Sequence, residues 1–595
     1  MAKVNRTRTV EVTLGVRVFL WIVLAMGVVV VALHIGNTRS TARRDVPANP
    51  FAALEKLVRG ELPWPPGATM TVIIEIAIIA AACIAWIAIH RLAARTGQTV
   101  DEKARFMGTG DVLASLTAAG ARKKADTLGM RLGDDDAPGV FLGTSVTGDE
   151  RLYGSYDALY LDIWGPRQGK SACRAIPAVV DAIGPVIVTS NKRDIVDATR
   201  GIRATKGGSI WVFDPDGVAG EAPDWFWDPI AWVGGDDLRA AHLARHFAAA
   251  DRRTDAHDYF EIEGEELLAA LFLAASVDHR SITQVWEWVT YPRDTEPLEL
   301  LRRDGRSFVA AGLAAVYNMD IRQQTGIFGT AKKMARCLRF TRIHPWITPD
   351  SERQAFDEVE FIDTHATLYA LSVEGRGAAV PLVSAFIEAV LDRAATLRRT
   401  DTPLLAVMDD AANVVRWRDF PQRSSYYASR GVIVMTMLQS WAQGVRCWGH
   451  DGMNELWSAA TIKSVGGGVD DVPFLRNRVD GIGNHDVESR SVTVSTRGIG
   501  YSSSITTTST LGVPELRSLP RGRAVLFAPG TTPVLIKTEP WWEGPHADEV
   551  RASIGRYGIP SNIRDLIERA DEFPAVIRLD APDSDPGKTP GVTPL

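Results

Sequence analysis

The sequence predicts an α/β fold in which a mostly parallel sheet is covered by helices, an all-α domain is inserted, and two N-terminal transmembrane helices come first. Three observations predict it. Short apolar runs of strand character alternate with helical periodicity along most of the chain, the pattern of strand, helix, strand units. The stretch 235–345 breaks that alternation with helical periodicity alone. Two apolar stretches, 18–35 and 70–89, are each long enough to cross a bilayer as a helix.

The membrane end comes first in the chain. Lys3, Arg6, Arg8 and Arg17 precede the first apolar stretch, and His90, Arg91, Arg95, Lys103 and Arg105 follow the second. Arg39, Arg43 and Arg44 lie between them, so the charge bias is modest. A cleavable signal peptide would need a small-residue cleavage pattern close after His34, and none follows. Two spans leave both ends on one side of the membrane. The division expected is a cytoplasmic tail 1–15, a first helix 16–35, an external loop 36–69 and a second helix 70–90. Glu75 interrupts the second span; an ionisable group there is costly, so it either pairs with a partner helix or stays neutral.

Strands are expected at 156–163, 185–190, 209–213, 367–373, 404–408, 432–437, 461–465 and 523–528. They belong to an α/β domain built from 91–234 and 360–560, with the all-α domain at 235–359 between its halves. The Ser/Thr-rich stretch 487–511 alternates like a strand and reads as an exposed hairpin or flexible loop. The end, 561–595, is expected to be a flexible tail rich in Pro, Asp and Gly.

Two segments carry phosphate chemistry. The first, Gly165-Pro166-Arg167-Gln168-Gly169-Lys170-Ser171, sits between a strand and a helix, the context a phosphate-binding loop requires. Its backbone N–H groups and the helix N-terminus would cradle a β-phosphate, Lys170 would reach the β and γ oxygens, and the Ser171 hydroxyl would ligate Mg²⁺. Trp164 stands where the usual pattern has its first glycine, which suggests a tighter loop. The second segment is an apolar strand ending in Asp409-Asp410. Adjacent carboxylates at the end of a buried strand need a cation or water nearby. Asp409 would hold the Mg²⁺ shell and Asp410 would orient or deprotonate a water. Read singly, these segments also fit an ordinary turn and a pair of solvated acids; read together they fit ATP and Mg²⁺.

Within the insertion, the stretch 331–343 reads as a helix with Lys332, Lys333, Arg336, Arg339 and Arg342 mostly along one side. Such a stripe suits a DNA backbone, and equally a solvated helix face.

Composition narrows the class. The 595 residues are 46% hydrophobic and 23% charged, those of a folded chain with room for several domains. A net charge of −6 gives no global nucleic-acid signature, so any DNA contact must be local. The four cysteines, Cys83, Cys173, Cys337 and Cys447, are too scattered for a disulfide framework or a zinc module. His242 and His246 lack the intervening glutamate of a metalloprotease helix and read as a helix-surface pair.

An ordered series of motifs resembles the coupling proteins of conjugative DNA transfer, the TraG/TraD-type ATPases of type IV secretion, in their actinobacterial form. It comprises residues 165–171, Thr-Ser-Asn-Lys at 189–192, Phe-Asp-Pro at 213–215, Thr-Gly-Ile-Phe-Gly-Thr-Ala at 325–331, Asp-Asp-Ala-Ala-Asn at 409–413, Leu-Gln-Ser at 438–440 and Leu-Pro-Arg-Gly-Arg-Ala at 519–524. The resemblance implies a RecA-like P-loop motor domain with an inserted all-α domain, a homo-hexamer around a channel, and ATP-driven movement of DNA toward a membrane secretion channel. It implies a relaxase or DNA-processing complex as the partner of the all-α domain and a TraM-recognition-like region in the second half of the motor. Gln439 falls at the sensor position, and Arg430 near the arginine finger that acts across a subunit interface, with Arg423 as its rival. Two spans leave both ends on one side and a nucleotide engine belongs in the cytoplasm, so the expectation is an inner-membrane, multi-pass protein with its motor in the cytoplasm. A translocase related to FtsK would carry a C-terminal winged helix, and a protein-export ATPase often carries tandem nucleotide sites. A non-hydrolysing membrane receptor remains open because of Trp164 and Asp410.

Overall fold

The computed structural model describes residues 5–12, 14–39, 45–95, 99–251, 259–373, 377–495 and 498–558. Its strands are β1 Asn5–Val12, β2 Val140–Ser145, β3 Arg151–Gly154, β4 Leu159–Ile163, β5 Val186–Ser190, β6 Ile210–Phe213, β7 Trp225–Phe226, β8 Gln354–Ala355, β9 Thr367–Leu371, β10 Leu404–Met408, β11 Val432–Leu438, β12 Ile462–Gly466, β13 Asn484–Ser495, β14 Gly498–Ser509, β15 Arg523–Phe527 and β16 Val534–Lys537.

Eleven strands form one sheet in the order β3-β2-β16-β15-β12-β4-β11-β10-β5-β9-β6. From β12 to β6 every neighbouring pair is parallel. The other edge, β15, β16, β2 and β3, is antiparallel. Strands β4, β5, β9, β10 and β11 are buried along their whole length, which is why they read as continuous apolar runs. The expected strands all appear within a few residues. The antiparallel strands β2, β3 and β16 were not expected: Gly143 sits in the left-handed region and the register shifts between Phe141 and Gly143, a bulge that breaks the period of two.

The helical insertion lies between β6 and β9, with the apolar helix Tyr259–Val277 at its centre. Its root is the short parallel pair β7 and β8. There, aromatic rings from sheet and insertion interlock edge to face, Trp211 on Trp225 at 5.0 Å and Phe213 on Trp346 at 5.7 Å among them. The basic stretch differs from expectation. The α-helix ends at Met334 and a 3₁₀ turn runs over Ala335–Arg339, so the expected stripe is broken. Ala335, Cys337 and Leu338 are all buried, and the tighter turn lets them reach the core together.

At the membrane end, helices Leu14–Thr38 and Ala68–Arg95 are each long and apolar enough to cross a bilayer. Gly36 lets them touch, because a Cβ there would lie 2.6 Å from the Ala68 backbone nitrogen. The Glu75 carboxylate oxygens are buried without a hydrogen-bond partner among the described residues. Residues 5–12, expected within a tail, instead form β1, which runs parallel to β13. β13 and β14 are the hairpin expected from the Ser/Thr-rich stretch. The tail 561–595 lies outside the described residues.

His242 and His246 are not a surface pair. Their helix, Asp237–Asp251, packs on the helix Val380–Leu397, and both imidazoles bind Glu388, His242 Nδ1 at 3.1 Å from Oε1 and His246 Nε2 on Oε2. Glu388 is distant in sequence, so helical periodicity alone gives no sign of it. Arg423 bridges Glu388 to Asp392, so a guanidinium already pairs with two of the three groups, His242, Glu388 and Asp392, that lie close enough to share a cation. Burial pushes the Glu388 carboxyl up, but His246 and His242 outweigh it and hold it well below the usual carboxylate range. A carboxyl depressed in the folded state stabilises fully above its unfolded value, about pH 4.3, and loses that contribution as pH falls through the folded value. In acid titration of denaturation midpoints, Glu388→Gln is therefore expected to lose stability less steeply than the parent below about pH 4.

Candidate active site

The site lies where β4, β11 and β10, adjacent and parallel, end together. Loops leaving the carboxyl ends of neighbouring parallel strands form the crevice in which such sheets bind ligands. β4 supplies the loop 165–171, β10 supplies Asp409 and Asp410, and β11 supplies Gln439.

These side chains meet. Lys170 Nζ lies 2.7 Å from Asp410 Oδ1 and 3.0 Å from Asp409 Oδ1. Gln439 Nε2 donates to Asp410 Oδ1 at 3.0 Å, and Ser171 Oγ donates to Asp409 Oδ2 at 3.1 Å. Thr189 Oγ1, at the end of β5, donates to the Asp409 carbonyl at 3.2 Å. Lys170, Asp409 and Asp410 are all buried. Burial pushes the Lys170 ammonium down, and the two carboxylates outweigh it, so its pKa stands above the ordinary lysine value. Asp194 is raised by burial and then by the Asp409 charge, so the negative field reaches the next helix. Asp410 sits in the left-handed region with φ 47°, a conformation aspartate tolerates better than most residues, and this turns it toward Lys170 and Gln439.

The loop has a similar logic. Arg167 with φ 60° and Gly169 with φ 89° are both left-handed, which aims successive N–H groups into a concavity suited to an anion. Arg167 is exposed at the mouth, next to exposed Pro166, while Gln168 lies against Gly467 and Gly468. Gly165 is pressed on the facing strand end: a Cβ there would meet the Gly468 carbonyl oxygen at 2.3 Å.

Trp164 does not tighten the loop. Its side chain is buried beneath it, packed flat over Gly466, where a Cβ would fall 2.6 Å from the indole Cγ. The indole N–H donates to Ser464 Oγ at 2.6 Å, Ser464 donates to Asp162, and Arg174 Nε donates to Asp162 Oδ1 at 3.2 Å. Arg174 is itself buried and also donates to the Phe141 carbonyl. This network, Asp162, Arg174 and Ser464, was missed in the sequence. The run Gly466-Gly467-Gly468 was the available signal, since a bulky residue at 164 needs a bare neighbour.

The remaining candidates lie elsewhere. Arg430 precedes β11, at the amino end of the strand whose carboxyl end carries Gln439, with its guanidinium 5.0 Å over the Tyr426 ring. Arg423 is held by Glu388 and Asp392. Lys332 is half-buried over the Trp286 ring, and Lys333, Arg336 and Arg339 are exposed.

The fold is a mostly parallel α/β sheet with a phosphate-loop geometry at the carboxyl ends of its central strands. Residues 403–521 match the family model described as the TraM recognition site of TraD and TraG. That segment holds Asp409, Asp410, Gln439 and the strands β10 to β14. Among solved structures, the bacterial conjugative coupling protein TrwBdeltaN70 in an unbound monoclinic form shares 15% identity at a TM-score of 0.51, over 71% of this chain and 92% of that one. The plasmid coupling protein TrwB in complex with the non-hydrolysable ATP analogue ADPNP shares 15% identity at a TM-score of 0.48, over 65% of this chain and 86% of that one. No curated protein matches the chain. The chain thus carries a segment that matches the TraD and TraG recognition-site family and has a fold similar to that of the conjugative coupling protein TrwB.

Replacing Trp164 by the glycine of the usual loop pattern is expected to weaken the protein. Loss of a buried tryptophan typically costs about 3–5 kcal/mol. Chemical denaturation of the full chain should show Trp164→Gly less stable by that order, whereas an insertion-free loop fitted to glycine would gain stability.

Proposed function

We propose that this protein is a membrane-anchored ATPase that couples ATP hydrolysis to DNA transfer in conjugation, acting as a homo-hexamer with its motor in the cytoplasm. The observation that carries the reading is the meeting of Lys170, Asp409, Asp410 and Gln439 at one sheet edge. Residues 165–171 bind the phosphates of ATP. Asp410 takes or orients the proton of the attacking water, and Gln439, bonded to the same oxygen as Lys170, reports the change of partners when Lys170 turns to the nucleotide.

The residues present fit Mg²⁺. Asp409 Oδ1 is a buried carboxylate oxygen that accepts no well-aligned hydrogen bond, and Ser171 Oγ stands on the same carboxylate. Ser171 and Asp409 would hold the ion, which when bound neutralises charge on the phosphate oxygens.

Arg430 is the better candidate for a finger acting on a neighbouring subunit, because Arg423 is spent on Glu388 and Asp392. Lys332, Lys333, Arg336 and Arg339 are offered to the DNA backbone, and the all-α domain to a relaxase or DNA-processing complex that feeds the membrane secretion channel. The TraM recognition description of residues 403–521 supports a partner of that kind. Pairing of β1 with β13 requires the N-terminal strand and the motor to share a compartment, which supports an even number of spans and a multi-pass inner-membrane protein.

The test is steady-state ATP hydrolysis by the full chain in detergent, with and without single- and double-stranded DNA. DNA-stimulated turnover is expected, with Lys170→Ala inactive. Asp410→Asn should lower turnover by about 10²–10⁴-fold, the usual contribution of a positioned general base. Turnover absent under every condition in a folded, assembled sample would favour the receptor reading. In the same assay Arg430→Ala should lose about 10³-fold or more, and mixing it with Lys170→Ala subunits should restore part of the activity.

A further inference from the structure

Two cations share one indole ring on the face of β12 turned away from Trp164. Ser464 bonds to Asp162 and to the Trp164 indole beneath the phosphate loop. Side chains alternate between faces along a strand, so the preceding residue, Lys463, turns to the other face. There its ammonium lies 5.5 Å from the centre of the Trp457 ring. Arg478, on the helix Val472–Ile482, lays its guanidinium on the same ring at 3.9 Å and on Phe474 at 4.9 Å. Trp457 comes from the helix Trp441–Ala459. Phe527, opposite Lys463 in the antiparallel register of β12 and β15, packs on it from the sheet.

Both cations are half-buried, and neither meets a carboxylate among the described residues. Burial pushes Arg478 down to about 10, and burial together with the Arg478 charge pushes Lys463 down. Arg478 Nη1 is buried with no hydrogen-bond partner among the described residues. Arg203 shows what this fold does with a structural arginine. Burial lowers it to about 10 as well, yet it donates to Thr367 Oγ1 and to the carbonyls of Ala182, Gly184 and His365. An unpaired buried donor beside a second positive charge is costly, and an anion between the two relieves both costs.

We propose that Lys463 and Arg478 form a second phosphate site, holding one phosphate group beside Trp457 and apart from the loop 165–171. Contact with the ring keeps the guanidinium in place and leaves its N–H fork for an acceptor, while the ammonium acts as a point charge. A phosphate has oxygens enough to meet the fork and the ammonium together, and the surrounding rings strengthen both contacts by excluding water. The group comes from a polynucleotide strand or from free phosphate, which offer the same oxygens. A strand as the source rests on the DNA reading above; the site itself does not.

The experiment is acylation of the full chain in detergent, without ATP, with the rate at Lys463 followed by peptide mass spectrometry. Inorganic phosphate is expected to slow Lys463, by about twofold when half the sites are filled, and chloride at matched ionic strength should leave the rate unchanged. Protection by a DNA oligonucleotide at concentrations where inorganic phosphate gives none identifies a strand as the source. Protection by inorganic phosphate alone identifies the free anion, and either result supports the site. Arg478→Gln should abolish protection while Lys463 still reacts; if that variant does not fold, the contrast between phosphate and chloride in the parent decides. No protection by phosphate or DNA, equal slowing by chloride, or protection that survives Arg478→Gln would overturn the proposal. So would slowing that follows protein concentration without added anion, which would place a carboxylate of a second copy on the pair. Because the readout needs no ATP, failure of the ATPase assay would leave it intact.

Discussion

The ion pair that Lys170 shares between Asp409 and Asp410 governs this structure. Lys170 is buried within hydrogen-bond reach of two buried carboxyl groups, which compensate its burial away from water. Removing one member of such a set typically costs about 3–5 kcal/mol, because the remainder is left uncompensated. The arrangement therefore needs rigid support. It has it in three adjacent parallel strands whose carboxyl ends deliver the lysine, the two aspartates and the glutamine to one place.

The same constraint explains the packing beneath the loop. A lysine directed at two carboxylates must leave a loop that cannot shift, and Trp164 wedged over Gly466 holds the loop's first residues from below. Asp162, Ser464 and Arg174 then tie the phosphate-loop strand to β12 and to the first turn of the following helix, which opens as a π-turn over Ser171–Ala175. A second buried network, Glu388 with His242, His246 and Arg423, couples the insertion to the segment that follows Asp410. The helix Phe420–Ala428 brings Arg423 into that network.

Much of this was legible in the sequence. The parallel strands were readable because strands buried on both faces are continuous apolar runs, and Lys170, Asp409, Asp410 and Gln439 stood at their ends. What was not legible depended on contacts between distant residues. The bulge at Gly143 hid the antiparallel edge, and burial of three consecutive-turn residues after Met334 replaced the expected basic helix with a 3₁₀ turn. His242 and His246 looked like a surface pair because their partner lies on another helix. The meaning of Trp164 became clear only beside Gly466, two strands of contact that no local window contains.

The most direct test of the account is whether Asp410 belongs to chemistry or to binding. The Asp410 carboxylate holds Lys170, so neutralising it should free the lysine for phosphate. Equilibrium binding of a non-hydrolysable ATP analogue with Mg²⁺ to the full chain and to Asp410→Asn measures this. The account predicts that the variant binds as tightly as the parent or more tightly. Affinity lost by tenfold or more, about 1.4 kcal/mol, would contradict it and make Asp410 a part of the nucleotide cradle.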